Sequence, residues 1–368
     1  MTQEVLDQPI KETVLYNVHV ELGAKLVPFG GYTMPASYPE GIQAEYFSVR
    51  KEAGLFDVSH MGEFFISGDG AEGFLQRMTI NDVSKLQEGY AQYSAMCYPD
   101  GGIIDDLILY RKPDGYFIVV NASNIQKDFE WLMQNVINEV NLENLSDTFS
   151  LIALQGPQSR KILSKLTNVN LKMPFYSYVD GVVCGYSVMV SRTGYTGELG
   201  FEIYGDANSL VHIWAELINA GVKPAGLAAR DILRMEMKYC LYGNDIDNTT
   251  NPIEAGLSWI TALSKGDFIG KDALLEIKKN RPDRQLISFV KKERGIPRQG
   301  YEVFVDSKKV GVVTSGTQSP QLKTGIGLAY VNIPFHKTGQ NISLQIRNKF
   351  VSAKIINPPF IKETSLHY

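Results

Sequence analysis

The chain has 368 residues, of which 44% are hydrophobic and 21% are charged, as in a packed globular protein rather than a disordered one. This length predicts two or three domains. The 36 Lys and Arg residues and 40 Asp and Glu residues give a net charge of −4, which argues against nucleic-acid binding through overall charge. No apolar run approaches the roughly 18–20 residues that cross a bilayer, so no membrane span is expected.

The amino terminus, the cysteines and the histidines predict a cytoplasmic protein without a metal site. The terminus is acidic and lacks an apolar core, unlike a secretory signal or an Arg-rich transit peptide. The cysteines Cys97, Cys184 and Cys240 form no Cys-x-x-Cys pair, which argues against a disulfide framework or a zinc knuckle. The five histidines lack the spacing of a zinc enzyme.

In chain order, the first clear pattern is an antiparallel meander from Ala91 to Val120. The turn sequences Tyr98-Pro-Asp-Gly-Gly102 and Lys112-Pro-Asp-Gly115 separate its strands, because proline and glycine favour turns. Apolar residues then recur at helical spacing over Ile125–Ile137, which predicts a helix that closes the unit.

A second unit of strands and helices follows. Val188–Ser191 and Phe201–Tyr204 are predicted strands on either side of a glycine-rich loop. The apolar spacing over Leu210–Ile218 predicts an amphipathic helix that ends at Gly221, and Leu227–Tyr239 is predicted to form another helix.

The last part of the chain is predicted to contain only short strands. A polar, proline-containing segment, 278–284, is the predicted linker to it. Six strands at this spacing predict a small antiparallel barrel or a sandwich. The predicted strands are Leu286–Val290, Tyr301–Val305, Val310–Thr314, Gly327–Val331, Ile342–Ile346 and Val351–Ile355. The predicted fold class is α+β followed by an all-β domain.

Asp105 and Asp106 are the first candidate site residues. They lie in an apolar predicted strand, where neighbouring residues face opposite sides and a buried carboxylate is costly unless it is paired or functional. One interpretation is a turn-edge cap beside a solvated aspartate. The alternative is a carboxylate in a cavity that stabilises a cation or accepts a proton.

The glycine-rich loop Thr193–Gly200 is the second candidate. A strand rather than a helix follows it, which argues against a phosphate-binding loop. The loop is either a structural tight turn or a segment that brings the backbone close to a flat ligand, with Tyr195 stacking on it. Glu202, in the following strand, either faces solvent or accepts two hydrogen bonds from a planar donor edge.

The predicted helix after this unit carries Arg230, Asp231 and Arg234. The spacing predicts a surface ion pair between Asp231 and Arg234, which leaves Arg230 as the free cation for an anionic or carbonyl-rich ligand. The basic segment Lys291–Arg294, with Arg298, is either a solvated loop or a landing site for a polycarboxylate tail or an acidic protein.

Several motifs in fixed order reveal a family resemblance. The chain resembles the aminomethyltransferases, the T-proteins of the glycine cleavage system, over essentially its whole length. The motifs that carry this resemblance are Val20–Lys25, Phe56-Asp-Val-Ser-His-Met-Gly-Glu63, Gly101-Gly-Ile-Ile-Asp-Asp-Leu107, Ser191-Arg-Thr-Gly-Tyr-Thr-Gly197, Gly226-Leu-Ala-Ala-Arg-Asp231, Asn251-Pro-Ile-Glu-Ala-Gly-Leu257, Phe268–Leu274 and Gly300-Tyr-Glu-Val303.

The resemblance implies three domains in a cloverleaf-like arrangement around a central tetrahydrofolate site. A discontinuous first domain would comprise residues 1–50 and 150–247. The second would comprise 51–149, and the mainly antiparallel C-terminal domain 248–368.

The resemblance also implies a reaction and its partners. The methylene carbon of an aminomethyl group on the lipoyl arm of H-protein would pass to tetrahydrofolate, without a metal. Asp106, rather than Asp105, matches the family's key aspartate. The implied cofactor-binding residues are Met61, Tyr93, Asn121, Tyr195, Glu202, Arg230 and Tyr239.

Two alternatives and one departure from the family pattern stay open. One alternative is a folate-dependent demethylase of the same fold. The other is a folate-binding accessory protein for iron–sulfur assembly, whose Lys-Gly-Cys-Tyr-x-Gly-Gln-Glu signature this chain lacks. Many relatives carry arginines near the C-terminus, where this chain offers only Lys362 and His367.

Overall fold

The computed structural model describes residues 10–293 and 295–368, which form a mixed helix and sheet structure. The helices are α1 (Tyr16–Glu21), α2 (Ile42–Lys51), α3 (Ala71–Met78), α4 (Ile125–Asn135), α5 (Ser159–Leu163), α6 (Ala207–Asn219), α7 (Leu227–Glu236) and α8 (Lys271–Asn280). Short 3-10 turns occur at Val83–Lys85 and Ala122–Asn124.

The strands divide among three open sheets and one closed barrel. The strands of the open sheets are β1 (Lys11–Glu12), β2 (Lys25–Phe29), β3 (Tyr32–Ser37), β4 (Gly54–Asp57), β5 (Gly62–Ser67), β6 (Ala91–Cys97), β7 (Ile103–Lys112), β8 (Gly115–Val120), β9 (Asn141–Asn144), β10 (Ser150–Gln155), β11 (Tyr178–Val183), β12 (Tyr186–Ser191), β13 (Gly200–Gly205) and β14 (Lys223–Pro224). The barrel strands are β15 (Arg284–Lys291), β16 (Glu302–Val305), β17 (Lys308–Ser319), β18 (Thr324–Asn332), β19 (Asn341–Ile346) and β20 (Lys349–Ile356).

The predicted meander is the centre of a five-stranded sheet with the order β6-β7-β8-β5-β9. Its strand pairs are antiparallel, and α4 follows β8 as predicted, although α4 ends at Asn135 rather than Ile137. Phe129 and Leu132 of α4 pack into the apolar cluster beneath this sheet, which explains the helical spacing in the sequence.

The second predicted unit belongs to a six-stranded sheet with the order β11-β12-β13-β10-β4-β14. Its helix α6 ends at Asn219, and Gly221 beyond it has a left-handed φ of +91°. Strand β4 lies within residues 51–149 but pairs with β10, so this sheet draws on both ranges predicted for the first two domains. The predicted domain boundaries stay a prediction. A separate sheet, β1-β3-β2, lies at the amino-terminal end.

The C-terminal strands close into an antiparallel barrel with the order β15-β18-β17-β16-β19-β20. This result decides between the two predicted architectures, since β20 pairs with β15 to complete the ring. The predicted linker, 278–284, was wrong in extent, because α8 continues to Asn280 and β15 begins at Arg284.

Two apolar clusters join these parts. One lies between the five-stranded and six-stranded sheets and includes Phe117 and Tyr204, whose rings meet edge to face 5.7 Å apart. The other, which we call the shared core, combines Ala95 of β6, Met235 of α7 and Leu328 of β18 with neighbouring residues. Helix α7 therefore lies where the five-stranded sheet, the six-stranded sheet and the barrel meet.

Candidate active site

Asp106 lies on β7, where side chains from two other elements hold its carboxylate. The Tyr93 hydroxyl on β6 donates to Oδ2 at 2.7 Å, and the Asn121 amide donates to Oδ1 at 2.8 Å. The same amide donates to Oδ1 of Asp105 at 2.8 Å, so it links two consecutive carboxylates. Three of the predicted site residues, Tyr93, Asp106 and Asn121, are therefore in direct contact.

The environment of Asp106 raises the proton affinity of its carboxyl. Burial and the neighbouring charge of Asp105 raise the pKa of Asp106 to about 7, although the hydrogen bonds from Tyr93 and Asn121 act in the opposite direction. Asp105 is fully buried and also accepts from the Asn121 backbone and from Asn124. The interpretation as a turn-edge cap beside a solvated aspartate was therefore wrong.

Glu202 lies on β13, where the whole strand is buried. The interpretation of a solvent-facing Glu202 is wrong, because its side chain is 7% exposed and its Oε2 accepts from Thr193 and Tyr204 hydroxyls. Burial raises the pKa of Glu202, while the positive charge of Arg230 acts to lower it. A buried carboxylate that receives only hydroxyl donors retains acceptor capacity for a ligand.

Arg230, Tyr195 and Tyr239 form an aromatic and cationic wall. The Arg230 guanidinium, on α7, lies over the Tyr195 ring at 4.8 Å, and Tyr195 stacks on Tyr239 with 5.6 Å between ring centres. Nη1 of Arg230 is buried, and among the described residues it has no hydrogen-bond partner. The Tyr195 hydroxyl donates to the carbonyl oxygen of Cys240.

The charge of Asp106 influences the pKa values of tyrosines in and near the wall of Arg230, Tyr195 and Tyr239. Burial raises the pKa of Tyr195, and the charge of Asp106 acts in the same direction, while Arg234 and Arg230 act to lower it. Both Glu202 and Asp106 act to raise the pKa of Tyr176, after the larger effect of burial. Tyr93, the donor to Asp106, packs against the apolar cluster that contains Cys240, whose carbonyl accepts from Tyr195, so the carboxylate and the aromatic wall adjoin the same cluster. Met61, before β5, packs against the cluster between the two large sheets.

Tyr176 and Trp259 also belong to this region, and sequence reasoning missed them. The Tyr176 backbone joins the start of β6 to Arg192, by hydrogen bonds to Ala91 and Arg192. Trp259 is 73% exposed and stacks on Tyr93 with 6.0 Å between ring centres. The available signal for Trp259 was its position two residues after the motif Asn251-Pro-Ile-Glu-Ala-Gly-Leu257. No comparable signal marks Tyr176, whose position depends on tertiary packing.

Gly194 and Gly200 of the glycine-rich loop leave space for the side chain of Gln155. A Cβ on Gly194 would lie 2.0 Å from Gln155 Oε1, and one on Gly200 would lie 2.2 Å from Gln155 Nε2. Gln155 accepts from the Thr196 hydroxyl at 2.8 Å and donates to the Thr193 carbonyl at 3.2 Å. These contacts favour the structural interpretation of the loop, because a side chain at position 194 or 200 would overlap Gln155.

The predicted Asp231–Arg234 ion pair is present, but the prediction that it lies at the surface was wrong for Arg234. The Arg234 side chain is 2% exposed and bridges Asp231 at 2.8 Å to the buried Asp245 at 2.5 Å. It also donates to Ser315 of β17 at 2.9 Å. The contact with Ser315 joins residues far apart in the chain, which local spacing does not reveal.

The remaining basic candidates lie in different settings. Lys362 and His367 are exposed, and the His367 ring meets Phe175 edge to face at 5.9 Å. Lys291 is 2% exposed on β15 rather than in a solvated loop, whereas Arg298 is exposed. Arg294 lies outside the described residues.

Two searches of the described residues bear on other classes of site. Within residues 10–293 and 295–368, His, Cys, Asp and Glu form no group of three or more that is arranged to hold a metal. In the same residues, none of the helices is long and apolar enough to cross a membrane.

Comparisons with known proteins agree along the chain. Residues 15–265 match the GCVT N-terminal domain, and residues 284–362 match the glycine cleavage T-protein C-terminal barrel domain. The aminomethyltransferase of Chloroherpeton thalassium is 50% identical over 360 residues, which cover 96% of this chain and 99% of that protein. The aminomethyltransferase of Halothermothrix orenii is 47% identical over 358 residues, covering 96% and 100%.

A solved structure gives the same relation in three dimensions. The glycine cleavage system aminomethyltransferase T from Bartonella henselae superposes with a TM-score of 0.92 at 33% identity, covering 98% of this chain and 99% of that chain. The α+β fold with its closed C-terminal barrel is thus common to both.

Proposed function

This chain belongs to the glycine cleavage T-protein family, and from that premise we propose that it transfers a one-carbon unit from the lipoyl arm of H-protein to tetrahydrofolate. The chain is an aminomethyltransferase, and the proposal names its donor and acceptor. The products would be 5,10-methylenetetrahydrofolate, ammonia and dihydrolipoyl H-protein. The observation that carries the proposal is the carboxylate of Asp106, held by Tyr93 and Asn121 in a region that also contains a buried cation and a second carboxylate.

Asp106 is the residue that we propose for the chemistry. The aminomethyl carbon lies between nitrogen and sulfur, and expulsion of either group leaves positive charge on that carbon. A nearby carboxylate stabilises this charge, and it can also transfer a proton when its pKa is close to the working pH. The pKa of Asp106, raised to about 7 by burial and by Asp105, suits both roles.

Glu202 and Arg230 are the proposed anchors for the pterin part of the co-substrate. Tetrahydrofolate, when bound, supplies the nitrogen that accepts the carbon. The two oxygens of Glu202 match the N–C–N donor edge of a pterin, because a carboxylate accepts two parallel hydrogen bonds. Arg230 has a buried donor without a partner in the described residues, which suits a carbonyl or an anionic group of the ligand.

The other predicted site residues complete the proposal. The stacked Tyr195 and Tyr239 supply a flat aromatic surface, and Met61, Tyr93 and Asn121 are proposed to line the pocket between that surface and Asp106. The cytoplasmic location, the absence of a metal and the division into three domains stay predictions. Cell fractionation and metal analysis of the purified protein would test the first two.

A transfer assay with purified components tests the proposed function. We expect the protein to release ammonia and to form 5,10-methylenetetrahydrofolate from aminomethylated H-protein and tetrahydrofolate. The matched control is H-protein with an unloaded lipoyl arm. Turnover only with small sulfonium or N-methyl donors would instead identify a demethylase. Tetrahydrofolate binding without turnover of either donor class would identify a folate-binding accessory protein.

A further inference from the structure

Asp128, on the inner face of α4, is a buried carboxyl that the proposed chemistry does not use. Its side chain is fully buried, and neither oxygen has a hydrogen-bond donor in residues 10–293 and 295–368. An ionised carboxylate in such a position would lose its hydration without compensation, which costs several kcal/mol. After the larger effect of burial, an interaction between the two carboxyls acts to raise the pKa of Asp128 and to lower that of Asp105.

Asp105 is the better supported anion of this pair. It accepts from the Asn121 backbone N–H at 3.0 Å, from the Asn121 amide at 2.8 Å and from the Asn124 amide at 2.6 Å. Three N–H donors stabilise a carboxylate, and a carboxyl without donors retains its proton. A proton on Asp128 can be donated to Asp105, and this arrangement satisfies both groups.

The charges around Asp128 also favour a protonated Asp128 beside an ionised Asp105. Three carboxyls, Asp105, Asp106 and Asp128, lie near one cation, Lys127, whose ammonium donates to the Ile104 carbonyl and at 2.9 Å to the Tyr242 hydroxyl. The other titratable groups facing Asp128 are Tyr98 and Tyr242, which are neutral phenols at physiological pH. One cation does not balance three anions, which favours retention of a proton in the cluster, and Asp128 is the carboxyl of the three that lacks N–H donors in the described residues.

We propose that Asp128 is a positioning residue that holds a proton toward Asp105 and thereby fixes the Asp105–Asn121 contact that orients Asp106. Asn121 connects Asp105 to Asp106, because its amide donates a hydrogen bond to each carboxylate. A negative Asp105 acts on Asp106 in two ways: it anchors the amide that donates to Asp106, and its charge favours the protonated form of Asp106. The proposal rests on the catalytic role proposed for Asp106.

The test compares the pH dependence of kcat/KM for Asp128→Asn and Asp128→Ala. Asparagine is neutral and can donate an N–H to Asp105, so we expect the acid limb of the profile to stay in place. Alanine cannot donate, so Asp105 would keep only its N–H donors, its pKa would rise, and its charge would act less on Asp106. We expect the limb to move to lower pH by roughly one unit. Equal shifts in both variants, or no shift in either, would overturn the proposal.

Glu130→Gln is the matched control, because Glu130 is an exposed carboxylate on the same helix and should leave the profile unchanged. Asp128→Ala leaves a cavity, and this variant could fail to fold. In that case infrared spectroscopy of the wild type and of Asp128→Asn tests the proposal. At pH 8 the difference spectrum between wild type and Asp128→Asn should contain the carbonyl stretch of a protonated carboxylic acid. Absence of that band overturns the proposal. This measurement requires no turnover, so it separates a failure at Asp128 from a failure of the proposed function.

Discussion

The Tyr93 hydroxyl donates to Asp106 diagonally across β6 and β7, not to its directly paired residue. In the strand register Tyr93 is opposite Ile108, and Asp106 is opposite Ala95. Residues two positions apart share one face of a sheet, so the ring of Tyr93 reaches along that face to the carboxylate at 2.7 Å. A phenol on one strand therefore influences the proton affinity of a carboxyl on the next strand.

Tyr93→Phe should move the acid limb of kcat/KM to higher pH. The hydroxyl stabilises the ionised form of Asp106 and acts to lower its pKa, so its removal should raise that pKa by roughly 0.5–1 unit. A pH series of steady-state rates measures the shift. Tyr90→Phe is the control, because Tyr90 is 39% exposed and adjacent to the same strand. A limb that stays in place in Tyr93→Phe would show that the rate does not depend on ionisation of Asp106.

Asp106→Asn should reduce kcat by about 100-fold or more, because the amide cannot stabilise developing positive charge. The fold should persist, since an amide at position 106 can accept from Asn121 and donate to the Tyr93 hydroxyl. Asp105→Asn should reduce kcat less, but it should lower the free energy of unfolding by about 1–3 kcal/mol, because one of its donors would face an NH₂ group. Rates and urea unfolding of both variants check this contrast, and near-normal kcat in both would refute an electrostatic role.

Asp106→Asn should also gain stability relative to wild type as the pH rises. The pKa of Asp106 increases from an ordinary 3.8 to about 7 on folding, so between these values the folded protein retains a proton that the unfolded chain has released. Wild-type stability therefore declines across this range, and the variant lacks this decline. The difference between pH 4 and pH 8 should be about 1–2 kcal/mol, reduced from the full shift by partial solvent access. Thermal unfolding at both pH values tests the sign.

Helices α4, α6 and α7 and the barrel strands were largely predictable, because their apolar periodicity reflects local packing. Helix α6 and strands β15 to β20 are examples, since one face of each is buried against a single cluster. The choice between barrel and sandwich was not predictable, because it depends on whether β20 meets β15 across the intervening strands. That pairing joins residues far apart in the chain, and no local pattern encodes it.

The site was predictable only where a residue type itself implies chemistry. The Asp105–Asp106 pair in an apolar strand was such a signal. The link to Asp128 was not predictable, because an aspartate in a helical sequence usually lies on the exposed face of the helix. The burial of Arg234 was not predictable either: its i,i+3 spacing with Asp231 is that of a surface pair, and its contact with Ser315 of β17 joins distant parts of the chain. In both cases the environment of the side chain depends on residues far away in the chain, so local spacing does not predict it.

Glu202→Gln should weaken tetrahydrofolate binding by about 10-fold to 100-fold, because the ligand would lose a charge-assisted acceptor. The Thr193 hydroxyl can still donate to the amide oxygen, so folding should be little affected. Calorimetric titration measures the affinity. Glu216→Gln is the control, an exposed change of the same kind on α6. Unchanged affinity in Glu202→Gln would refute the proposed pterin contact.

Gly194→Ala should destabilise the protein by about 1–3 kcal/mol, since the new methyl group would overlap the Gln155 amide. The displaced Gln155 would also lose its hydrogen bond to Thr196. Gly73→Ala is a control of opposite sign: nothing lies within 4 Å of a Cβ there, and alanine should stabilise α3 by about 0.5–1 kcal/mol. Urea midpoints compare the two variants, and equal stability of Gly194→Ala and wild type would contradict the contact.

The shared core has a consequence for modularity. Leu286 and Tyr330 of the barrel contribute to it together with Ile80, Met235 and Leu257 from the rest of the chain, and Arg234 adds a polar link to Ser315. Excision of the barrel would expose this wall to water and leave the Arg234–Asp245 pair without part of its cover. We therefore expect the two regions matched by separate family domains to unfold as one cooperative unit.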